Sequence, residues 1–417
     1  MMCFRNIFWI YCLALWSLLL HSGEVVFIAT ADLHGNLRAL AKLAPVIRRY
    51  PDAVKLDLGD FSQSNFAVTE QNGIPVVDAF NSLGYEVLVP GNHDLEYPEE
   101  FLHLWRRRFK GAVLGAQWRL GKFIPLPWLI VERNGFRIGV IGLGDAGMKK
   151  RNGFWHDFQS ADEIASVRQA VNYLRHERCD GILLACHISS TNYRILGDIL
   201  HEVPEIDVAI GAHSHKENAG SFLRGKYVLQ PGSHGESALY LSFCFDENRR
   251  LKYIRSKLLR PAEEMDKAVL TLAEDAERSS ANSGDVPLRY FSDAASFGKA
   301  AAESICKAVD CDAAIFAFNP GKFRKGLTVE KLYDMLPYGN RIAVVSVDRE
   351  TALKILKLRR KRLGEFFAAG DFNRDKIRLA LSDYLFFALP ELSGKEGSIT
   401  GIFERDVLIE AWKKQEY

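Results

Sequence analysis

Six times between Glu24 and Leu259 a short apolar run breaks off into a polar cluster: "EVVFIATADLHGN", "AVKLDLGDFSQS", "YEVLVPGNHD", "FRIGVIGLGD", "DGILLACHISS" and "DVAIGAHSH". Helical patterns lie between several of these runs, as in "SADEIASVRQAVNYLRHE" after the fourth. Strands alternating with helices indicate an α/β or α+β domain whose strand ends gather on one edge. In open α/β sheets that edge is where sites are built. One run raises the question sharply: "VLVPGNHDLEYP" ends in Gly91 and then crowds Asn92, His93 and Asp94 together. Polar groups so placed cost free energy unless they are exposed or partnered. A polar turn capping the next helix is the plain explanation, and a working site is the other.

The chain has 417 residues, which at about 150 per domain suggests two or three domains. With 48% apolar and 25% charged residues it has an ordinary globular composition. A net charge of +2 excludes a strong field for a nucleic-acid polymer. At the N-terminus Arg5 precedes an uninterrupted apolar run, Ile7 to Leu20, the layout of a secretory signal. That run is short for a membrane span. Only Ser22 and Gly23 offer a cleavage site, so residues 1–23 read as a signal peptide or an uncleaved anchor, and both imply export to a periplasmic or extracellular location. Beyond it remain Cys179, Cys186, Cys244, Cys306 and Cys311, an odd number that is no disulfide scaffold. Cys306 with Cys311 is the only local candidate pair.

The alternating pattern runs over residues 24–259. Residues 260–284 begin at a Pro-containing step and carry apolar residues at helical spacing, which reads as a linker helix. Residues 285–417 form a second domain with "CDAAIFAFNPGKF", "LTVEKLYDMLPYGNRIAVVSV" and a last strand-like "SITGIFERDV". The basic positions 357 and 359–362 read as a solvated helix face.

Taken by strand end, the polar clusters of the first domain are Asp32 and His34, Asp60, Asn92 with His93, His187, and His213 with His215. Carboxylate, imidazole and amide oxygen are together the donor set that suits Mn, Fe or Zn. A single His at a strand end is more often hydrogen-bonded or solvent-facing than a ligand, but so many in one domain resist that explanation.

In this order, "DLHG", "GDFSQS", "GNHD", "CHISS" and "GAHSH" resemble the five blocks of the calcineurin-like metallophosphoesterase superfamily. "FNPGKFR" followed by "LPYGN" is similar to the second domain of the secreted 5'-nucleotidases, a family that includes 2',3'-cyclic phosphodiesterases. The resemblance implies a four-layer α/β/β/α sandwich over 24–259 and a smaller α/β substrate-binding domain over 285–417. It implies two divalent ions, a site that Mn, Zn, Fe and Co all accept. Asp32, His34, Asp60 and His215 would hold one; Asp60, Asn92, His187 and His213 would hold the other, with Asp60 bridging. His215 stands where some members have Gln. His93 would be the catalytic histidine, oriented by Asp94 or Glu96, with Glu96 favoured because the family's acid commonly lies three residues beyond the His. His234, in "QPGSHGE", is the most tempting additional donor, but the family uses this segment as a strand and turn, which keeps His234 outside the ligand set.

In the 5'-nucleotidases the second domain closes on the nucleotide and stacks the base between two aromatic rings. Here Asn319, Arg324 and Tyr338 fit that pattern. Where the second ring is expected stands Leu392, so the second ring is missing unless Tyr384, Phe386 or Phe387 swings in, and an arginine expected around "FSDAASFG" is absent, with Asp293 nearest. The implied function is hydrolysis of a phosphomonoester, most readily a nucleoside 5'-monophosphate, by attack of a metal-bound hydroxide. The partner is a small phosphate ester, with a membrane involved only through an uncleaved anchor. One alternative keeps the metals and changes the ester, to a cyclic or other phosphodiester, a nucleotide-sugar pyrophosphate or a sulfur ester. Another, a binding module without turnover, would require a lost donor, yet all seven and His93 are present.

Overall fold

The apolar runs become the strands of two six-stranded sheets in the computed structural model, which describes residues 23–97, 99–144, 158–358 and 363–413. The N-terminal segment 1–22 and the basic positions 359–362 lie outside the described residues. Among the described residues no helix is long and apolar enough to cross a membrane.

The first sheet runs in the spatial order Leu251–Leu259, Ala238–Phe245, Gly23–Thr30, Val54–Asp57, Tyr85–Leu88, Ala112–Val113. Its last four strands are parallel. The second sheet runs Asn218–Leu223, Lys226–Gln230, Val208–Ile210, Gly181–Cys186, Phe136–Leu143, Trp128–Arg133, with the middle four parallel. The strands Val54–Asp57 and Gly181–Cys186 are buried at every residue, as expected where a parallel strand is covered on both faces. One core joins the inner faces of the two sheets, with Phe27, Leu56 and Val87 of one meeting Ile138, Leu183 and Val208 of the other. Outside the second sheet, helices Glu163–His176 and Ile195–Glu202 pack Val167, Leu174 and Leu196 onto Ile141 and Leu184. Outside the first, Phe80 of helix Ile74–Leu83 stacks on Tyr85 with ring centroids 4.5 Å apart. The result is helix, sheet, sheet, helix.

Helix Leu37–Ile47 starts immediately after the first polar cluster because Asn36 caps it, accepting from Ala39 N at 3.1 Å, a contribution of about 1 kcal/mol. Cap and cluster are thus set by the same turn.

A second unit is built on a five-stranded mixed sheet, in the order Glu365–Gly370, Ala313–Phe318, Lys376–Ser382, Arg341–Asp348, Gly397–Phe403. Phe297, Phe316 and Trp412 fill one face, and Ile315, Leu379 and Leu392 the other. Residues 62–73, which follow the second polar cluster, pack within this unit: Phe66 belongs to its core and meets Tyr333 at 5.0 Å. The helix Lys267–Gly284 contains the division, which falls between Ala273 and Glu274. Asp293 is the N-cap of helix Ala294–Ala308, in a capping box with Ser296. The last run divides: Gly397–Phe403 is a strand, and helix Glu404–Trp412 begins at its "ERD". Glu404 and Asp406 sit in that helix's first turn.

Candidate metal centre

Each polar cluster follows the C-terminal end of a parallel strand. Asp32 and His34 follow Gly23–Thr30, Asp60 follows Val54–Asp57, and Asn92 and His93 follow Tyr85–Leu88. From the other sheet, His187 follows Gly181–Cys186, and His213 and His215 follow Val208–Ile210. The loops interlock through their backbones. Asp32 N donates to Gly59 O at 2.8 Å, and His34 N to Asp60 O at 2.8 Å. Side chains add cross-ties: His93 N donates to Asp60 Oδ1 at 2.8 Å and His213 N to Asp32 Oδ2 at 3.0 Å.

Asp32, His34, Asp60, His213, His215 and His234 all have left-handed backbones, with φ between 48° and 72°. That is half of the twelve non-glycine residues with positive φ among the described residues. Each costs about 1–2 kcal/mol, and such strain concentrates where side chains are held for a purpose. The glycines serve a different end. A Cβ on Gly91 would meet Asp60 N and His187 Cε1, both at 2.6 Å, so this glycine is needed for close approach. At Gly59 both reasons apply, since φ is +92° and a Cβ would strike the backbone of Gly91. Asp57 braces that turn, accepting from Gly59 N at 2.9 Å and from Thr30 Oγ1 at 2.7 Å.

The donors form two groups sharing Asp60. Asp32, His34 and Asp60 place one donor atom each within 4.8 Å of one another, and so do Asp60, His187 and His213. Asn92 Oδ1 lies 2.8 Å from His213 Nδ1, and His215 Nε2 lies 3.0 Å from His34 Nε2 and 3.6 Å from Asp32 Oδ1. Asp32 and His187 are 0% exposed and Asp60 2%, whereas His213 and His215 are exposed and open the cluster to solvent.

This set fits divalent cations. His187 Nδ1 donates to Leu58 O at 2.6 Å, which leaves Nε2 as the lone-pair nitrogen, facing Asp60 Oδ2 at 3.1 Å. Two electron-rich atoms at that distance need a proton or a cation between them, and a backbone carbonyl fixing the tautomer is the usual support of a ligating His. Burial, countered by His187 and reinforced by Asp60, pushes the Asp32 carboxyl up to about 7. Burial likewise pushes His34 down to about 3 and His215 down to about 4, so their nitrogens keep lone pairs at neutral pH. Burial opposes ionisation of Asp60, but His187 and His93 outweigh it and hold its carboxyl well below the usual range. The ionised Asp60 beside the neutral imidazoles of His34 and His215 makes a cation-seeking pocket.

Beside this group, His93 Nδ1 lies 2.6 Å from Glu96 Oε1, in the short helical turn Asp94–Glu96. Asp94 turns to the backbone and accepts from Asp60 N at 2.6 Å, Gly91 N at 2.9 Å and Phe61 N at 3.1 Å. Its observed work is to clip the Asp60 and Gly91 turns together. Glu96 is the carboxylate set on the His93 ring.

The second unit holds a pocket of about 220 Å³ lined by Asn319, Tyr338 and Tyr384 among others, with Glu404 and Arg405 in its wall. Arg324 is not among its lining residues; it is exposed and donates to Phe323 O at 3.1 Å. Leu392 is 2% exposed in the core, so it presents nothing to a ligand, and Tyr384 is the ring that shares the pocket with Tyr338. Glu404 and Arg405 escaped sequence reasoning because nothing in "FERD" marks them; only folding brings them beside Asn319.

Residues 25–217 match the calcineurin-like phosphoesterase family. The chain is 23% identical to the 5'-nucleotidase of Rattus norvegicus over 189 residues, 43% of this chain and 32% of that one. It thus spans about a third of that relative's length. A Staphylococcus aureus structure, provisionally described as a 5'-nucleotidase, superposes with a TM-score of 0.74 at 16% identity, covering 93% of this chain and 96% of that one. The sulfate thiohydrolase SoxB of Thermus thermophilus superposes with a TM-score of 0.64 at 12% identity, covering 94% of each. At such identities the two structures speak for the fold.

Proposed function

We propose that this chain, whose residues 25–217 match the calcineurin-like phosphoesterase family, is an exported, two-metal phosphoesterase that hydrolyses a phosphomonoester, first of all a nucleoside 5'-monophosphate. The observation that carries this reading is the gathering of six donors from two sheets around a seventh, the buried carboxylate of Asp60. Export is proposed on the N-terminal segment alone. We take 24–259 as the catalytic part, 260–284 as the linker and 285–417 as the substrate-binding part.

Asp32, His34, Asp60 and His215 would hold one divalent ion, and Asp60, Asn92, His187 and His213 the other. Such ions supply Lewis-acid charge to a phosphoryl group and acidify a water for in-line attack. The chain's own residues do the rest. Asp60 offsets the repulsion between two dications, and its backbone is fixed by Asp94. Glu96 accepts the Nδ1 proton of His93 and so stabilises the imidazolium form. His93 then gives its Nε2 proton to the leaving alkoxide as the phosphorus–oxygen bond breaks, yielding an alcohol and inorganic phosphate. Tyr338 and Tyr384 offer aromatic faces for a base, and Asn319 a hydrogen-bonding edge.

The test is phosphate release from 5'-AMP by the Mn-reconstituted full chain, beside hydrolysis of bis(4-nitrophenyl) phosphate, with Asp60→Asn as blank. AMP turnover above the blank is expected; turnover of neither ester would refute the reading. A second reading, a different ester on the same metals, draws on the altered second unit, where Leu392 is core and Arg324 lies outside the pocket. Diester turnover without AMP turnover would favour it.

A further inference from the structure

We infer that His234 is an eighth protein donor to the metal centre, joining His34 and His215 on the first ion and making that site rich in imidazole. The inference rests on the two-ion reading above and extends it beyond residues 25–217, the span matched by the family.

The topology brings His234 to the site. Strand Lys226–Gln230 runs parallel to Val208–Ile210, so its C-terminal end emerges at the edge that carries His213 and His215. Residues 231–233 then lead to His234. The ring nitrogens of His34, His215 and His234 offer donor atoms that all lie within 4.8 Å of one another. The His234 ring centroid is 4.9 Å from that of His34 and 5.3 Å from that of His215. Imidazole nitrogens so close need a shared cation or a shared proton, as across the 3.0 Å between His34 Nε2 and His215 Nε2, and His234 brings a third ring to the same place.

The backbone supports the same conclusion. His234 has φ 49°, its N–H donates to Asp32 O at 2.7 Å, and its carbonyl accepts from Asn36 Nδ2 at 3.2 Å. The turn is therefore pinned to the loop that carries Asp32 and His34. A left-handed position is cheapest for Gly, so an imidazole held there at a cost of about 1–2 kcal/mol argues for work done by the side chain. His213, His215 and His234 are all exposed, so the third ring stands on the solvent-facing side of the first site. Imidazole donors favour Zn, Fe and Co over harder Mg and Mn, so His234 would bias the first site toward the borderline metals.

The test is a Co(II) titration of the metal-free full chain in competition with a chromophoric chelator, with visible absorption and circular dichroism recorded alongside. His234→Gly keeps the left-handed backbone at no steric cost, and His234→Phe keeps a ring without a donor. The wild type should bind two equivalents. Both variants should hold one of them at least about 10-fold more weakly, the scale seen when the support of a metal site is removed, and its absorption band should shift. Two equivalents at wild-type affinity and spectrum in both variants would overturn the inference and leave the two-ion reading standing. A folded wild type that binds fewer than two would overturn both.

Discussion

Glu404→Gln should change how the second unit's stability depends on pH. Glu404 is 6% exposed, and its Oε1 has no hydrogen-bond partner among the described residues. Burial first, then the Asp383 charge, pushes its carboxyl from 4.5 to about 8, against an opposing hydrogen bond from Asn340 and the nearby Arg405. The native protein therefore keeps a proton that the unfolded chain releases. Stability from this group is complete below about pH 4.5 and is lost as the pH rises to about 8. At about 1.4 kcal/mol per unit, the interval of 3.5 units sets an upper limit of about 5 kcal/mol. The assay is differential scanning calorimetry from pH 5.5 to 9, following the transition of the second unit, since a two-unit chain need not melt as one. The wild type should lose stability steadily up to about pH 8, whereas Glu404→Gln, which cannot ionise, should lose much less. Parallel profiles for the two proteins would refute the reasoning.

Three shorter predictions follow from the same structure. His93→Ala should lower kcat by about 10²- to 10⁴-fold with bound metal unchanged, and Glu96→Gln should give a smaller loss with a shifted pH–rate limb; unaltered rates would exclude the proton role. Asn92→Ala should weaken the second ion and the activity together, and a variant as active as wild type would contradict the donor assignment. Cys306 and Cys311 hold their sulfurs 3.4 Å apart, against about 2.05 Å in a disulfide, and burial with the neighbouring Cys306 pushes the Cys311 thiol up to about 12. A disulfide should therefore form slowly with oxidised glutathione, both thiols disappearing from a thiol titration; persistence of both after prolonged oxidation would contradict this.

What could be read from the chain depended on whether the determinant was local. The strand runs, the order of the polar clusters and the three-residue offset from His93 to Glu96 are local patterns, so their positions at strand ends were visible in advance. That two sheets carry those ends to one place is tertiary, and no spacing encodes it. Residues 62–73 were read with the first domain because they follow "GDF", yet Phe66 finds its core beside Tyr333. Leu392 and Arg324 occupy motif positions, but burial of one and the loop bonds of the other withdraw them from the pocket. The left-handed backbones at Asp32, His34 and His234 oppose local preference, and such conflicts are expected where a site overrides it.

On the proposed function, seven side chains from two sheets hold two divalent ions that share Asp60. The most direct measurement counts tightly bound metal per chain by mass spectrometry after reconstitution and desalting, for the wild type and for Asp60→Asn. Two ions in the wild type and no more than one in the folded variant is the predicted result. A folded wild type that keeps one ion or none, or a variant that keeps both, would contradict it.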